Sequence, residues 1–279
     1  MKTEKIIILT TCYKDGRIPP PIINVVKRLS DKYDITVFYE YQKRLNLKKI
    51  YKRRGFLIWL DMVLFKGIFR LFPYIRHMIF GKDDLIEIAE SKFGLEDMYK
   101  ENKFNNLADF RLVNSINDDP DVIGAIEKDV PSIIISIGAP ILRKHFLERI
   151  YILDVLITNN HIGITPDYMG STPFYWAFSR KDHEKIGFTI HKIHEKIDYG
   201  DYLYQEQVDV SECKNFTDVD ILLLMKASTM LAEKIKSGEI FTIKPTPLHV
   251  EYKSFPPGGL FTVINAFMNF KKYKSSKVT

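Results

Sequence analysis

Cysteine is almost missing from this 279-residue sequence; Cys12 and Cys213 are the only two. They fit neither a metal-ligand spacing nor a disulfide framework, and a reducing, cytoplasmic setting is the expectation. Glycine is also sparse where a dinucleotide-binding chain needs it. The loop from Thr10 to Pro20 holds one glycine, Gly16, so the G-x-G-x-x-G fingerprint is absent. Phe56 to Phe80 holds no 18-residue uncharged span, which argues against a membrane-spanning helix there. The opening MKTEKIIILTT passes straight into an apolar strand pattern without a signal-peptide cleavage region, and export is not expected. Internal repeats and low-complexity tracts are lacking too.

What is present suits an ordinary folded chain. Hydrophobic residues make up 46% and aromatics 13%, enough for an ample core and too much for disorder. The net charge of +6 permits contact with anions without naming one. Basic residues cluster at Lys43, Arg44, Lys48, Lys49, Lys52, Arg53 and Arg54, and again at Lys271, Lys272, Lys274 and Lys277. Such runs are usually solvated surface. An anionic substrate or anionic lipid is the alternative, and no nucleic-acid partner is expected.

Apolar runs at Lys5 to Thr10 and Ile35 to Tyr39 flank a helix that GRIPPP opens and that runs toward Lys32. Strand, helix and strand in that order predict a parallel α/β sheet. Further strands are expected at Phe110 to Val113, Ser132 to Ile137 and Val155 to Thr158. Lys185 to Ile193 and Tyr202 to Val210 are strand candidates about the turn IDYGD. Helices are expected at Asp84 to Lys100, Asp121 to Lys128 and Lys144 to Arg149. A last one spans Asp218 to Lys236, with Asp218 as its cap and Gly238 just past its end. Phe56 to Phe80 carries apolar residues at helical spacing, broken by Asp61, Lys66, Arg70 and Arg76. It reads as a helical layer on the sheet, with a peripheral membrane or partner contact as the competing reading.

The informative polar cluster is TNNHIGITPDYMGSTPFYWAF, Thr158 to Phe178, directly after the apolar VLIT. Ligands of open parallel sheets bind beyond the carboxyl ends of strands, where Asn159 and His161 are expected to stand. The second part is KIGFTIHKIHEKIDYGDYL, Lys185 to Leu203, with Asp198 at a turn before Gly200. His191 and His194 form only a weak metal pair, since no third ligand is evident.

Together these segments resemble the formyltransferase family, which includes methionyl-tRNA formyltransferase, glycinamide ribonucleotide transformylase and the sugar N-formyltransferases. The resemblance rests on Asn159-Asn160-His161, on Ile186-Gly187-Phe188-Thr189-Ile190 and on Asp198-Tyr199-Gly200-Asp201, and covers about Asp121 to Val210. Two positions depart from the family pattern: Ile162 follows the histidine, and Met169 precedes the loop glycine.

The resemblance implies a Rossmann-like α/β fold, a mostly parallel twisted sheet with flanking helices. Residues 1–212 would form the catalytic domain and residues 213–279 a C-terminal helical and short β appendage and tail. It implies 10-formyltetrahydrofolate as formyl donor and Asn159, His161 and Asp198 as catalytic residues. Formyl transfer to an amine develops an oxyanion, which the Asn159 amide and a protonated His161 could meet. Asp198 could exchange the protons between attacking and leaving nitrogens. The pterin is expected along the backbone near Ile137, Gly138, Ile141, Leu142, Ile193 and Ile197.

Of the acceptors known in the family, the sequence favours an amino sugar on an anionic nucleotide carrier. Too little chain follows Val210 for the β-barrel of methionyl-tRNA formyltransferase. TTCYKDGRIPPP is not the glycine-rich phosphate loop of the glycinamide ribonucleotide enzyme. SFPPGG, Ser254 to Gly259, loosely resembles late segments of the sugar enzymes. A 10-formyltetrahydrofolate hydrolase and a non-catalytic binding protein on the same fold stay open, as does a homodimer.

Overall fold

A computed structural model describes residues 4–43, 46–81, 84–100 and 102–277; Arg44 of the first basic cluster lies outside them. β1 (Lys5–Cys12) is apolar on both faces and is followed by α1 (Pro20–Leu29), which has proline in its first turn. Proline suits that position because its missing N–H would have no helical partner anyway. β2 (Asp34–Tyr41) completes a strand–helix–strand unit. Four helices then leave the sheet: α2 (Leu47–Arg54), α3 (Phe56–Leu71), α4 (Pro73–Phe80) and α5 (Leu85–Phe93). The short α6 (Glu96–Lys100) leads back to β3 (Asp109–Leu112).

The pattern then alternates through α7 (Pro120–Asp129), β4 (Ile133–Ser136), α8 (Lys144–Ile152) and β5 (Leu156–His161). A two-residue strand, β6 (Met169–Gly170), and α9 (Pro173–Ser179) lie in the connection to β7 (Gly187–Lys192) and β8 (Tyr202–Gln207). The chain ends with α10 (Phe216–Lys236), β9 (Ser254–Phe255) and α11 (Leu260–Lys277).

The main sheet runs β3-β2-β1-β4-β5-β7-β8. Neighbours from β3 to β5 are parallel, and β7 and β8 are antiparallel additions. Strand order reverses direction between β1 and β4, and such a switch point opens a crevice at the carboxyl ends. Here that crevice is pinned by side chains of β1. Thr10 Oγ1 donates to the Ile137 carbonyl and Thr11 Oγ1 to the Gly138 carbonyl, each at 2.8 Å.

Two apolar layers flank the sheet, and the two-residue period of each strand divides its side chains between them. Ile6 and Ile8 of β1 join α1, α9, α10 and α11 on one side. Ile7 and Leu9 face α7 and α8 on the other. α10 and α11 thus complete the larger core.

Several element boundaries differ from expectation for local reasons. Phe56 to Phe80 is two helices, broken where Pro73 cannot continue the first. Gly94 adopts φ 67° and ends α5, splitting the helix expected over Asp84 to Lys100. The cap of α10 is Asn215, whose Oδ1 accepts from the Asp218 N–H at 2.9 Å; Asp218 lies inside the helix. The residues expected as a basic tail lie on α11, which packs against α9. Most relevant to the site, β5 does not stop at Thr158. Its polar end pairs with β7, Asn159 opposite His191 and His161 opposite Thr189.

Candidate functional site

Asn159 and His161 are alternate residues of β5, so both project from one face, while Asn160 between them turns to the other. Antiparallel β7 brings His191 beside Asn159. The turn after β7 then folds Asp198 back over the pair. Asp198 sits at φ 54°, a region that non-glycine residues seldom enter. Gly200 makes this return tight, since a Cβ there would overlap the Lys192 carbonyl oxygen.

The four side chains form one connected group. The Asn159 amide nitrogen donates one hydrogen to Asp198 Oδ1 at 3.2 Å and the other to His191 Nε2 at 3.1 Å. His191 Nδ1 donates to the Lys192 carbonyl at 2.7 Å. Its Nε2 also stands 3.5 Å from Asp198 Oδ1, within reach of the carboxylate. His161 is placed differently. Its Nε2 donates to the Tyr168 carbonyl at 2.7 Å, and its Nδ1 stands 3.4 Å from Asp198 Oδ2. A carbonyl only accepts, so the contact of Nδ1 with the carboxylate is favourable when that nitrogen is protonated as well.

Asp198 is nearly enclosed, with 10% of its side chain exposed. Burial pushes its carboxyl up. The positive end of His161, the His191 contacts and the Gly170 N–H more than offset this and hold it at about 2. That N–H donates to Asp198 Oδ2 at 2.9 Å. The carboxyl is ionised at neutral pH.

The loop after β5 is held by its own polar network. Thr189 Oγ1 donates to the Gly163 carbonyl at 2.7 Å and accepts from the Thr165 N–H at 3.1 Å. Gly163 is required by closeness. A Cβ there would stand 2.6 Å from His161 Nε2 and 2.7 Å from the Tyr168 carbonyl, wedged into their hydrogen bond. SFPPGG buttresses the same loop from outside. β9 pairs with β6, Phe255 opposite Gly170, and the Gly258 N–H donates to Thr172 Oγ1 at 2.9 Å.

A cavity of about 130 Å³ opens on one side of the group, with Asn159, His191 and Asp198 on its polar wall. Ile141, Leu142, Ile193 and Ile197 line its apolar part with Ala139, and Ser136 adds to the polar lining. Four of the six residues expected beside a pterin are thus on this cavity. Ile137 is not, because it alternates with Ser136 and turns into the core behind the sheet. Gly138 is exposed, with its carbonyl held by Thr11. His161 lies behind Asp198 rather than on the cavity wall.

His191 was not expected in this group. The sequence signal was its two-residue spacing from Thr189 on a strand bound to pair with β5, which requires the register to be known. Among the described residues no group of three or more His, Cys, Asp or Glu could hold a metal ion. His194 lines the cavity, and its Nδ1 accepts from the Lys196 N–H at 3.0 Å.

A switch-point crevice, a cavity and a buried Asn–His–Asp group together define a Rossmann-like α/β protein with its polar site at the strand ends. The formyl transferase family model matches residues 91–234, just over half of the chain, and the chain belongs to that family. No curated protein matches the sequence.

Among solved structures, a sugar N-formyltransferase from a Shewanella species superposes with a TM-score of 0.56 at 11% identity, covering 96% of this chain and 88% of that one. A 4-N formyltransferase from Francisella tularensis gives 0.52 at 17% identity, with 97% and 88% covered. A phosphoribosylglycinamide formyltransferase from Anaplasma phagocytophilum gives 0.53 at 13% identity, with 91% and 100% covered. These similarities establish a common fold.

Proposed function

We propose that this protein transfers a formyl group from 10-formyltetrahydrofolate to the amine of a nucleotide-linked amino sugar. The observation that carries the reading is the Asn159–His191–Asp198–His161 group at the edge of a partly apolar cavity, in a chain of the formyl transferase family. The cavity takes the flat pterin of the donor against Ile141, Leu142, Ile193 and Ile197, with the formyl-bearing nitrogen toward Asn159. Folate supplies the one-carbon unit, and the residues of this chain supply placement and proton movement.

Amine attack on the formyl carbon puts negative charge on its oxygen. The Asn159 amide, already on the cavity wall, is the donor that turns to meet it. Asp198 is ionised and accepts the proton that the attacking ammonium must lose, directly or through one water. Asp198 then returns that proton to the folate nitrogen as it leaves, while His161, paired with Asp198 and tied to the Tyr168 carbonyl, keeps the carboxylate in place. No side-chain nucleophile is needed, because the amine itself attacks.

The acceptor assignment draws support from the loop after β1, which has no glycine-rich phosphate cradle. The test is a panel of nucleotide-linked amino sugars and glycinamide ribonucleotide, each mixed with enzyme and 10-formyltetrahydrofolate and read for formamide product. Product from an amino sugar alone supports the assignment. Formate release at a rate that no amine increases replaces it with hydrolysis, and product from glycinamide ribonucleotide alone replaces the acceptor.

A further inference from the structure

The positive charge of this chain is concentrated in one place. Residues 47–80 hold eight lysines and arginines against a single acidic residue, Asp61, a surplus of seven where the whole chain has six. Asp61 is turned inward, since its Oδ1 accepts from the Phe261 N–H at 3.0 Å. Among the described residues, the same segment also carries a cluster of large apolar side chains that the fold leaves in water. The corner between α3 and α4 is the extreme: residues 70–78 are all exposed. Leu71 is 73% exposed, Phe72 53% and Tyr74 79%, with Met78 at 47%.

This corner is rigidly mounted. Phe69 and Ile79 on its inner side are buried, and Phe80 packs edge-on against Phe65, Phe69 and Phe216. One face of the helix pair is therefore committed to the core, and the other presents apolar tips flanked by exposed Lys66, Arg70 and Arg76. No helix among the described residues is long and apolar enough to cross a membrane. An apolar corner ringed by cations has the composition of a segment that lies in the lipid headgroup layer. A second copy is a poorer occupant, because joining two such faces sets one basic surface against another.

We propose that the α3–α4 corner docks the protein on an anionic lipid bilayer, with Leu71, Phe72, Tyr74 and Met78 entering the headgroup layer and Arg70 and Arg76 meeting lipid phosphates. This proposal is independent of the formyl-transfer reading. It is tested by flotation of the full chain with vesicles of phosphatidylcholine containing phosphatidylglycerol, and with phosphatidylcholine alone, at low and high salt. Binding should require the anionic lipid and weaken with salt. Each basic residue near such a surface is worth about fivefold in partitioning, so Arg70→Gln with Arg76→Gln should weaken binding about 25-fold. Phe72→Ser with Tyr74→Ser should weaken it at least as much, and both variants should keep the parent's thermal transition because all four side chains are exposed. Equal binding to both vesicle types, no binding to either, or variants that bind like the parent would overturn the proposal. So would a parent dimer in sedimentation that Phe72→Ser with Tyr74→Ser splits, which would put a second copy on this face.

Discussion

Asp198 Oδ2 stands 3.4 Å from His161 Nδ1, although one residue comes from the end of β5 and the other from the turn after β7. Against burial, which raises it, this pairing together with His191 and the Gly170 N–H holds the carboxyl at about 2, against an ordinary value of 3.8. A lowered folded value gives stability that is present above 3.8 and is lost as pH falls toward about 2. The shift corresponds to roughly 2 kcal/mol. Denaturant unfolding of the parent and of Asp198→Asn should therefore differ at pH 5, and the gap should close between about pH 4 and pH 2. A gap that stays constant over that range would show that the carboxylate charge is not what the pairing stabilises.

His191 shares the Asn159 amide with Asp198 and faces the cavity. His191→Phe keeps a ring in the space but cannot accept from Asn159, so that amide loses its orientation. Turnover should fall by about 10- to 100-fold, the scale of a misplaced polar donor. Circular dichroism and the unfolding midpoint would separate this loss from a general failure to fold.

Gly163 is required by the space it leaves rather than by its backbone angle. In Gly163→Ala the new methyl enters the contact of His161 Nε2 with the Tyr168 carbonyl. Overpacking of this kind costs about 1–3 kcal/mol. The activity loss should exceed what that destabilisation explains, because His161 is displaced from Asp198. Stability and turnover measured on one preparation check both parts.

Much of the fold was readable because hydrophobic period and turn chemistry act locally. Ile133 to Ser136 is buried at every residue, as a strand covered on both faces must be, and Pro20 marks a helix start by its own stereochemistry. Asn159, His161 and Asp198 were legible as a set because their spacing matches a family pattern. What escaped depends on pairing between distant segments. The extension of β5 through Asn159 and His161 follows from β7 lying beside it, and polar residues on a strand end look like a loop until that partner is known. His191 was missed for the same reason. The side chain of Ile137 turns into the core behind the sheet, a direction that its position after Ser136 fixes only once the sheet's faces are known. SFPPGG stood out only by a loose resemblance to late segments of the sugar enzymes, and its role emerges where Phe255 meets Gly170, whose N–H holds Asp198.

The central claim is that Asp198 moves the proton that lets an amine take the formyl group. The most direct measurement is amine-dependent formamide formation from 10-formyltetrahydrofolate by the parent and by Asp198→Asn, with donor affinity measured on both. The account predicts nearly equal donor affinity and a loss of turnover of about 100-fold or more. Unchanged amine turnover in Asp198→Asn, with the donor still bound, would contradict it.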